Sequence, residues 1–381
     1  MNYYYYNIIF SFFICFNLIL TKSSSSNKYN NLISWIKNNG GYITNKISPE
    51  ENNEYNRRMI STKEILKEEL ISFIPEKIVL SSINSHLNSL CRKAYGLFHK
   101  KDLECITLFI TLDKKNKNSF FKPYYDYLPK FNIDIFPPEY SKEKLKLFDE
   151  LEFELYAGIS NNKLMKGYND QVKLILKEKG INNPFEEFKY NYYLVKSRNF
   201  ARPGSDFFFD LNSCVPFIEL FNHDNNFNTD WGYDENKKGF FLKAIKDIKI
   251  GEELTISYGE EFNINLFMTY GFTLENNIYM NPIRVKIGKY QYSFYPSNNK
   301  ENNIKGILNV HKSLKEIYGF EREKERFIYI LMKQCFEKKL ENIKLIKKDD
   351  INIKNIVDEI IINIEKYIKI LKDFINKNIN N

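Results

Sequence analysis

Asp210 to Phe272 reads DLNSCVPFIELFNHDNNFNTDWGYDENKKGFFLKAIKDIKIGEELTISYGEEFNINLFMTYGF, and this stretch decides the fold. Short β-type runs alternate in it with turn signals. Trp231-Gly232-Tyr233 and Phe240-Phe241-Leu242 flank the polar segment Asp234–Gly239, which predicts a hairpin. Lys249–Glu253 reads as a turn into a strand, Leu254–Tyr258, that ends on Gly259. Asn263–Met268 reads as a short helix ahead of Tyr270-Gly271-Phe272. Two places carry groups suited to chemistry. One is Asn222-His223, which follows the apolar run Val215–Phe221; the other is the pair Tyr258 and Tyr270, each followed by glycine.

Working outward, 381 residues leave room for two domains, or one with a large insertion, and a hydrophobic content of 43% supports a proper core. The net charge of +8 is spread along the chain, with lysines interleaved among Asn, Ile and Glu. Such lysines read as solvated faces, and no concentrated basic patch marks a nucleic-acid footprint. The cysteines are Cys15, Cys91, Cys105, Cys214 and Cys335; their odd number and the lack of any CxxC pair predict neither a disulfide framework nor a zinc site.

At the N-terminus, Ile8–Leu20 is an apolar run of signal-peptide length, short for a membrane span, with no Lys or Arg before it and Ser23–Ser26 after it. Residues 1–25 are therefore expected to be a secretory-type or organellar leader, a plastid among its destinations; a retained membrane anchor or a wrongly assigned start are the alternatives. Leu32–Asn39 is a short amphipathic helix stopped by Gly40-Gly41. From about residue 85 to 200 the pattern turns helical: Leu103, Ile106, Phe109 and Ile110 recur at helix spacing, and Ser141–Leu155, Asp170–Lys179 and Phe185–Phe200 are further helix candidates. Ala201–Asp206 reads as a loop back into the core. Beyond Asn276, Ile283–Ile287 and Tyr290–Tyr295 look β-like. Two apolar helix faces follow: Phe327, Leu331, Cys335 and Phe336, then Ile356, Ile360, Ile364, Tyr367, Leu371 and Phe374.

Taken in order, the apolar run with Asn222-His223, then Gly251-Glu252-Glu253, Ser257-Tyr258-Gly259 and Tyr270-Gly271-Phe272, resemble the core of the SET-domain protein methyltransferases. The branch most similar carries a helical insertion and includes the Rubisco large-subunit lysine methyltransferase and the actin histidine methyltransferase. Ser119–Pro129 resembles that branch's SxFxPYxxxLP signature, and Ser197-Arg198-Asn199-Phe200 its S-R-x-F helix ending. Arg57–Val79 resembles its first β-hairpin. Arg58 departs from the family, which usually has Gly there; Glu219 departs too, standing where Asp is typical.

The resemblance implies an α+β fold: a β-rich core of small sheets with a pseudo-knot, a helical insertion and a C-terminal helical domain. It places the SET domain at 32–275, its insertion at about 85–200, and the C-terminal substrate-holding domain at 285–381. It implies S-adenosyl-L-methionine as cofactor, a protein substrate and no metal. Cofactor contacts are expected from Glu69, Leu70, Ile71, Arg198, Glu219, Asn222, His223, Tyr258, Tyr270 and Phe272, with Tyr258 as the catalytic residue. Standing alone, Asn222-His223-Asp224 also reads as an Asx-type turn, Tyr258 as a core tyrosine and Arg198 as a surface ion pair.

The chemistry explains why tyrosine suits such a site. Methyl transfer from a sulfonium is an in-line displacement, so alignment and desolvation supply much of the acceleration. A lysine nucleophile must be neutral, and an apolar channel lowers its pKa by disfavouring the charged form. A tyrosine ring gives that channel a wall attractive to cations, and its hydroxyl can hold the acceptor nitrogen. The expected activity is methylation of a lysine side chain of a protein by a monomer, without nucleic acid, and with membrane contact only if the leader is retained. A histidine acceptor, a catalytically inactive SET-like binding module, prompted by Arg58 and Glu219, and a membrane-tethered structural protein are the rivals.

Overall fold

The computed structural model describes residues 27–53, 56–81, 85–96, 101–130, 132–202, 211–318 and 325–377. The leader expected over 1–25 and most of the loop expected over Ala201–Asp206 lie outside the described residues. Among the described residues no helix is long and apolar enough to cross a membrane.

Two units divide the chain: residues 1–132 with 163–258, and residues 133–162 with 259–381. In the first, helix α1 (27–38) leads into strands β1 (Tyr42–Ile43), β2 (Ile47–Asn53), β3 (Asn56–Ser61), β4 (Leu70–Pro75) and β5 (Leu80–Ser81), then helices α2 (Ser85–Tyr95), α3 (Asp102–Asp113) and α4 (Lys122–Tyr127). Helix α5 (Lys142–Lys146) and α6 (Phe153–Gly167) as far as residue 162 fall in the second unit; the first resumes at residue 163 with the end of α6, then α7 (Asp170–Glu178) and α8 (Pro184–Lys196). Strands β6 (Asn199–Arg202), β7 (Leu211–Cys214), β8 (Asn222–His223), β9 (Thr229–Asp234), β10 (Gly239–Ala244) and β11 (Thr255–Ile256) complete the first unit.

The β part of this unit is a set of small sheets rather than one large one. Four strands run β1-β4-β10-β9, three run β5-β7-β6, and β2-β3 and β11-β8 are separate pairs. The predicted hairpin is β9–β10, with Phe241 opposite Gly232. Its turn is set by Asp234, whose Oδ1 accepts from the backbone N–H of Asn236 and Lys237. Phe240, Leu242 and Ala244 alternate inward and join Ile71, Ile74, Val215, Phe217, Phe221 and Ile256 in the core. The aromatic rings of α4 pack on the same core, while α2, α3, α7 and α8 enclose a smaller one around Leu108, Val172, Leu176 and Phe188.

The hairpin expected over Arg57–Val79 is not formed. Its two strands exist as β3 and β4, but β3 pairs with β2, whose Glu50 and Glu51 stand opposite Arg58 and Arg57 and form ion pairs with them. Cross-strand opposite charges favour that register, and β4 is left to pair with β1 and β10. The strand expected over Leu254–Tyr258 shrinks to Thr255–Ile256. The helix expected over Phe185–Phe200 stops at Lys196, and Asn199 onward pairs as β6. The cysteine reading needs correction also: the structure pairs Cys91 with Cys105, Cα atoms 5.4 Å apart, because α2 and α3 pack against each other. A separation of 14 residues carries no spacing signal for that contact.

In the second unit, α9 (Asn263–Tyr270) precedes the hairpin β12 (Ile283–Ile287) and β13 (Tyr290–Phe294), then α10 (Lys300–Tyr318), α11 (Glu325–Lys344) and α12 (Ile351–Lys377). The helix expected over Ser141–Leu155 is broken here, since Glu152 takes a left-handed conformation (φ 58°) between α5 and α6. The expected stripe on α12 is buried, from Ile356 through Leu371. On α11 the buried face is Ile328, Met332 and Phe336; Phe327, expected on it, is 61% exposed.

Candidate active site

The site grows from β8 and β11. These two-residue strands run parallel, with Asn222 beside Thr255 and His223 beside Ile256, and bring two distant segments side by side as the expected pseudo-knot requires. Asn228 locks the pair: its Oδ1 accepts from Thr255 N–H and its Nδ2 donates to the Glu253 carbonyl, both at 2.9 Å. Asn222 Nδ2 donates to the Arg57 carbonyl at 2.9 Å and to Glu253 Oε1 at 2.8 Å. Its side-chain nitrogen is thus engaged inside the protein.

Tyr258 leaves β11 half-buried. Its hydroxyl donates to the Phe221 carbonyl at 2.9 Å, and its ring stacks on His223 with centroids 5.2 Å apart. Burial, reinforced by Glu219 and Glu253 and opposed by Arg198, pushes the hydroxyl up to about 12, so it stays a donor at neutral pH. Gly259 then turns the chain away with a φ of +115°, a conformation open to glycine.

Behind Phe221 lies a buried polar group. The Glu219 side chain is 0% exposed; its Oε2 accepts from the Tyr124 hydroxyl at 2.6 Å, and its Oε1 stands 3.8 Å from Arg198 Nη1. Arg198 Nη1 also donates to the Glu219 carbonyl at 3.2 Å. Burial raises the Glu219 carboxyl above its ordinary range, against the pull of Arg198, Tyr124 and Arg57.

Of the expected site residues, Arg198, Glu219, Asn222, His223 and Tyr258 meet in this one region. Leu70 and Ile71 open β4 in another sheet, and Glu69 immediately precedes it. Glu69 pairs with Lys46, whose hydrogen bond holds its carboxyl below the ordinary range, and Leu70 and Ile71 pair along the strand with Lys243 and Ile43's neighbour Thr44. Tyr270 and Phe272 belong to the second unit, their rings 6.1 Å apart across Gly271. Tyr124, Asn228, Glu253 and the Phe221 carbonyl were not foreseen. Tyr124 stands in the SxFxPYxxxLP run and Glu253 in the Gly-Glu-Glu turn, so motif membership was the only signal for either. Arg58 extends to Glu50, with 40% of its side chain exposed. Among the described residues no group of three or more His, Cys, Asp or Glu could hold a metal ion.

Residues 56–259 match the family model described as "SET domain". SET domain-containing protein 4 of Artemia parthenogenetica is 25% identical over 264 residues, covering 65% of this chain and 62% of that protein. The actin-histidine N-methyltransferase of Gallus gallus is 23% identical over 268 residues, covering 68% of this chain and 44% of that protein. The chain thus spans only part of the length of these curated relatives. Among solved structures, the SET domain of LSMT bound to lysine and AdoHcy superposes with a TM-score of 0.64 at 15% identity, covering 91% of each chain. Rubisco LSMT bound to AdoMet gives 0.62 at 15% identity, covering 92% of each chain. These likenesses establish the fold.

Proposed function

The chain belongs to the SET-domain family, and on that premise we propose that it is an S-adenosylmethionine-dependent methyltransferase acting on a lysine side chain of a protein. The observation that carries the proposal is the Tyr258 hydroxyl held 2.9 Å from the Phe221 carbonyl, beside the paired β8 and β11. When bound, S-adenosylmethionine supplies a methyl group on a sulfonium, open to displacement by a neutral nitrogen. The donor set fits that cofactor. Arg198, 23% exposed, carries guanidinium N–H groups beyond the one given to the Glu219 carbonyl, suited to a carboxylate. The Tyr258 ring and the Phe221 carbonyl present π and lone-pair density suited to a cation.

In this reading Tyr258 orients the acceptor nitrogen through its hydroxyl and excludes water with its ring. Asn222 and His223 hold that ring and its carbonyl partner in place. Glu69, Leu70, Ile71, Tyr270 and Phe272 are proposed as further cofactor contacts. The SET domain at 32–275 and a C-terminal substrate-holding domain at 285–381 remain the proposed division, and the proposed enzyme works as a monomer. A histidine acceptor is the second reading, supported by the actin-histidine N-methyltransferases among the curated relatives. Of the two departures that prompt the inactive-module reading, Arg58 is drawn to Glu50 and Glu219 is held by Tyr124 and Arg198.

The test is transfer of a labelled methyl group from S-adenosylmethionine into a protein extract, followed by mass spectrometry of the labelled residue. Label on lysine supports the first reading, label on histidine the second, and no label from active cofactor speaks against both.

A further inference from the structure

We propose that Tyr124, projecting from the helical insertion, is a positioning residue: with Glu219 and Arg198 it fixes the Phe221 carbonyl against which the Tyr258 hydroxyl is set. The inference rests on the reading of Tyr258 given above.

Ile218–Leu220 is a single 3-10 turn, too short to hold its own geometry. The residue before it, Phe217, is fully buried and has a φ of 76°, a conformation that a side chain adopts only when its surroundings impose it. The ring of Phe217 meets that of Phe221 edge-on at 5.6 Å. Outside contacts must therefore place the Phe221 carbonyl. On its C-terminal side Asn222 is anchored to the Arg57 carbonyl and Glu253; on its N-terminal side the polar contacts converge on Glu219, two residues earlier, where Arg198 donates to the Glu219 carbonyl and the Tyr124 hydroxyl donates to its carboxylate at 2.6 Å.

A carboxylate with no exposure keeps its place only while its partners are present. Tyr124 is 3% exposed and lies in a packed aromatic layer, its ring 5.8 Å from that of Tyr125. It cannot swing to another acceptor without disturbing that layer. The groups that face Glu219 are Tyr124 on α4, Arg198 between α8 and β6, Cys214 on β7 and Arg57 on β3, with Tyr258 coupled electrostatically to the same carboxylate. Tyr124 is an uncharged donor hydrogen-bonded to that carboxylate, so Tyr124→Phe removes the hydrogen bond without adding or deleting a charged side chain.

The test uses Tyr124→Phe and Glu219→Gln in the full chain. In Tyr124→Phe, amide exchange of residues 215–224 is expected to rise about tenfold, with β12–β13 as the internal control changing less than about twofold. Affinity for S-adenosylmethionine alone, by calorimetry, should change less than about threefold, while transfer into the same protein extract falls about tenfold, a displaced hydroxyl being enough to lose that much. Glu219→Gln should loosen the same segment, and the double variant should add little, as expected of residues in one network. Unchanged exchange over 215–224, or strictly additive effects in the double variant, overturns the positioning role. Failure of the wild-type chain to bind S-adenosylmethionine sinks the methyltransferase reading instead, and the exchange comparison still decides whether Tyr124 holds the turn.

Discussion

The backbone N–H of Tyr258 donates to Nδ1 of His223 at 3.1 Å, while the two rings stack at 24°. Nδ1 is therefore the acceptor, which assigns the ring proton to Nε2. The same nitrogen lies 3.4 Å from the Ile256 carbonyl, which it cannot serve as donor in that tautomer. His223 is thus a fixed support for Tyr258, set by the parallel pairing of β8 with β11.

His223→Phe keeps a stacking ring but removes the acceptor. It leaves the Tyr258 N–H without its partner and is expected to cost about 1–3 kcal/mol. Urea unfolding of the variant measures this; a stability equal to wild type would show that the N–H finds another acceptor.

Asn228 binds both sides of one strand residue's backbone neighbourhood, the Glu253 carbonyl and the Thr255 N–H. Asn228→Ala leaves both groups part-buried without that partner, and a loss of about 1–3 kcal/mol follows. The effect should reach the site, visible as faster amide exchange over 253–258. Asn228→Asp should lose less, because it keeps the acceptor for Thr255.

Glu359 on α12 gives a pH dependence of stability. Its carboxylate accepts from Asn281 N–H at 2.5 Å and from the side-chain nitrogens of Asn281 and Asn263, with Lys366 nearby. Burial pushes it up to about 7 from an ordinary 4.5, those partners opposing. The folded state therefore holds this proton at pH values where the unfolded chain has released it. The contribution is full below about pH 4.5 and is lost as pH rises through about 7, a change of about 3 kcal/mol for this group. Glu359→Gln should remove that part of the slope, so the difference in unfolding free energy between variant and wild type should move toward the variant from pH 5 to pH 8. A difference independent of pH would contradict the assignment.

Gly271 caps α9 with a φ of +80°, and a Cβ there would lie 2.6 Å from Ile135 Cδ1. Gly271→Ala combines a left-handed alanine, about 1–2 kcal/mol, with a side-chain clash. Ile135 is 42% exposed, so the clash can be relieved by a second change. In thermal unfolding, Ile135→Ala added to Gly271→Ala should recover the steric part and leave the conformational part.

What the sequence revealed depended on range. The β9–β10 hairpin was legible because apolar alternation and an Asp234 turn lie within a few residues of each other. The buried stripe on α12 was legible for the same reason, its period being local. Tyr124 and Glu219, 95 residues apart, were not joined by any pattern, nor were Cys91 and Cys105. The Arg57–Val79 hairpin failed because Glu50 and Glu51, in a stretch with no β signal, compete for the same strand. Asn222, His223 and Tyr258 were legible only through the ordered motifs; the role of the Phe221 carbonyl was not, since a backbone group leaves no mark on residue identity.

The most direct test of the central claim is calorimetric titration of S-adenosylmethionine into the full chain and into Tyr258→Phe, each followed by a methyl-transfer assay. The account predicts saturable binding to both proteins, with transfer by the variant reduced at least about a hundredfold, within the range of losses seen when a positioned catalytic group is removed. Saturable binding with undiminished transfer by Tyr258→Phe, or no binding to the wild-type chain, would contradict it.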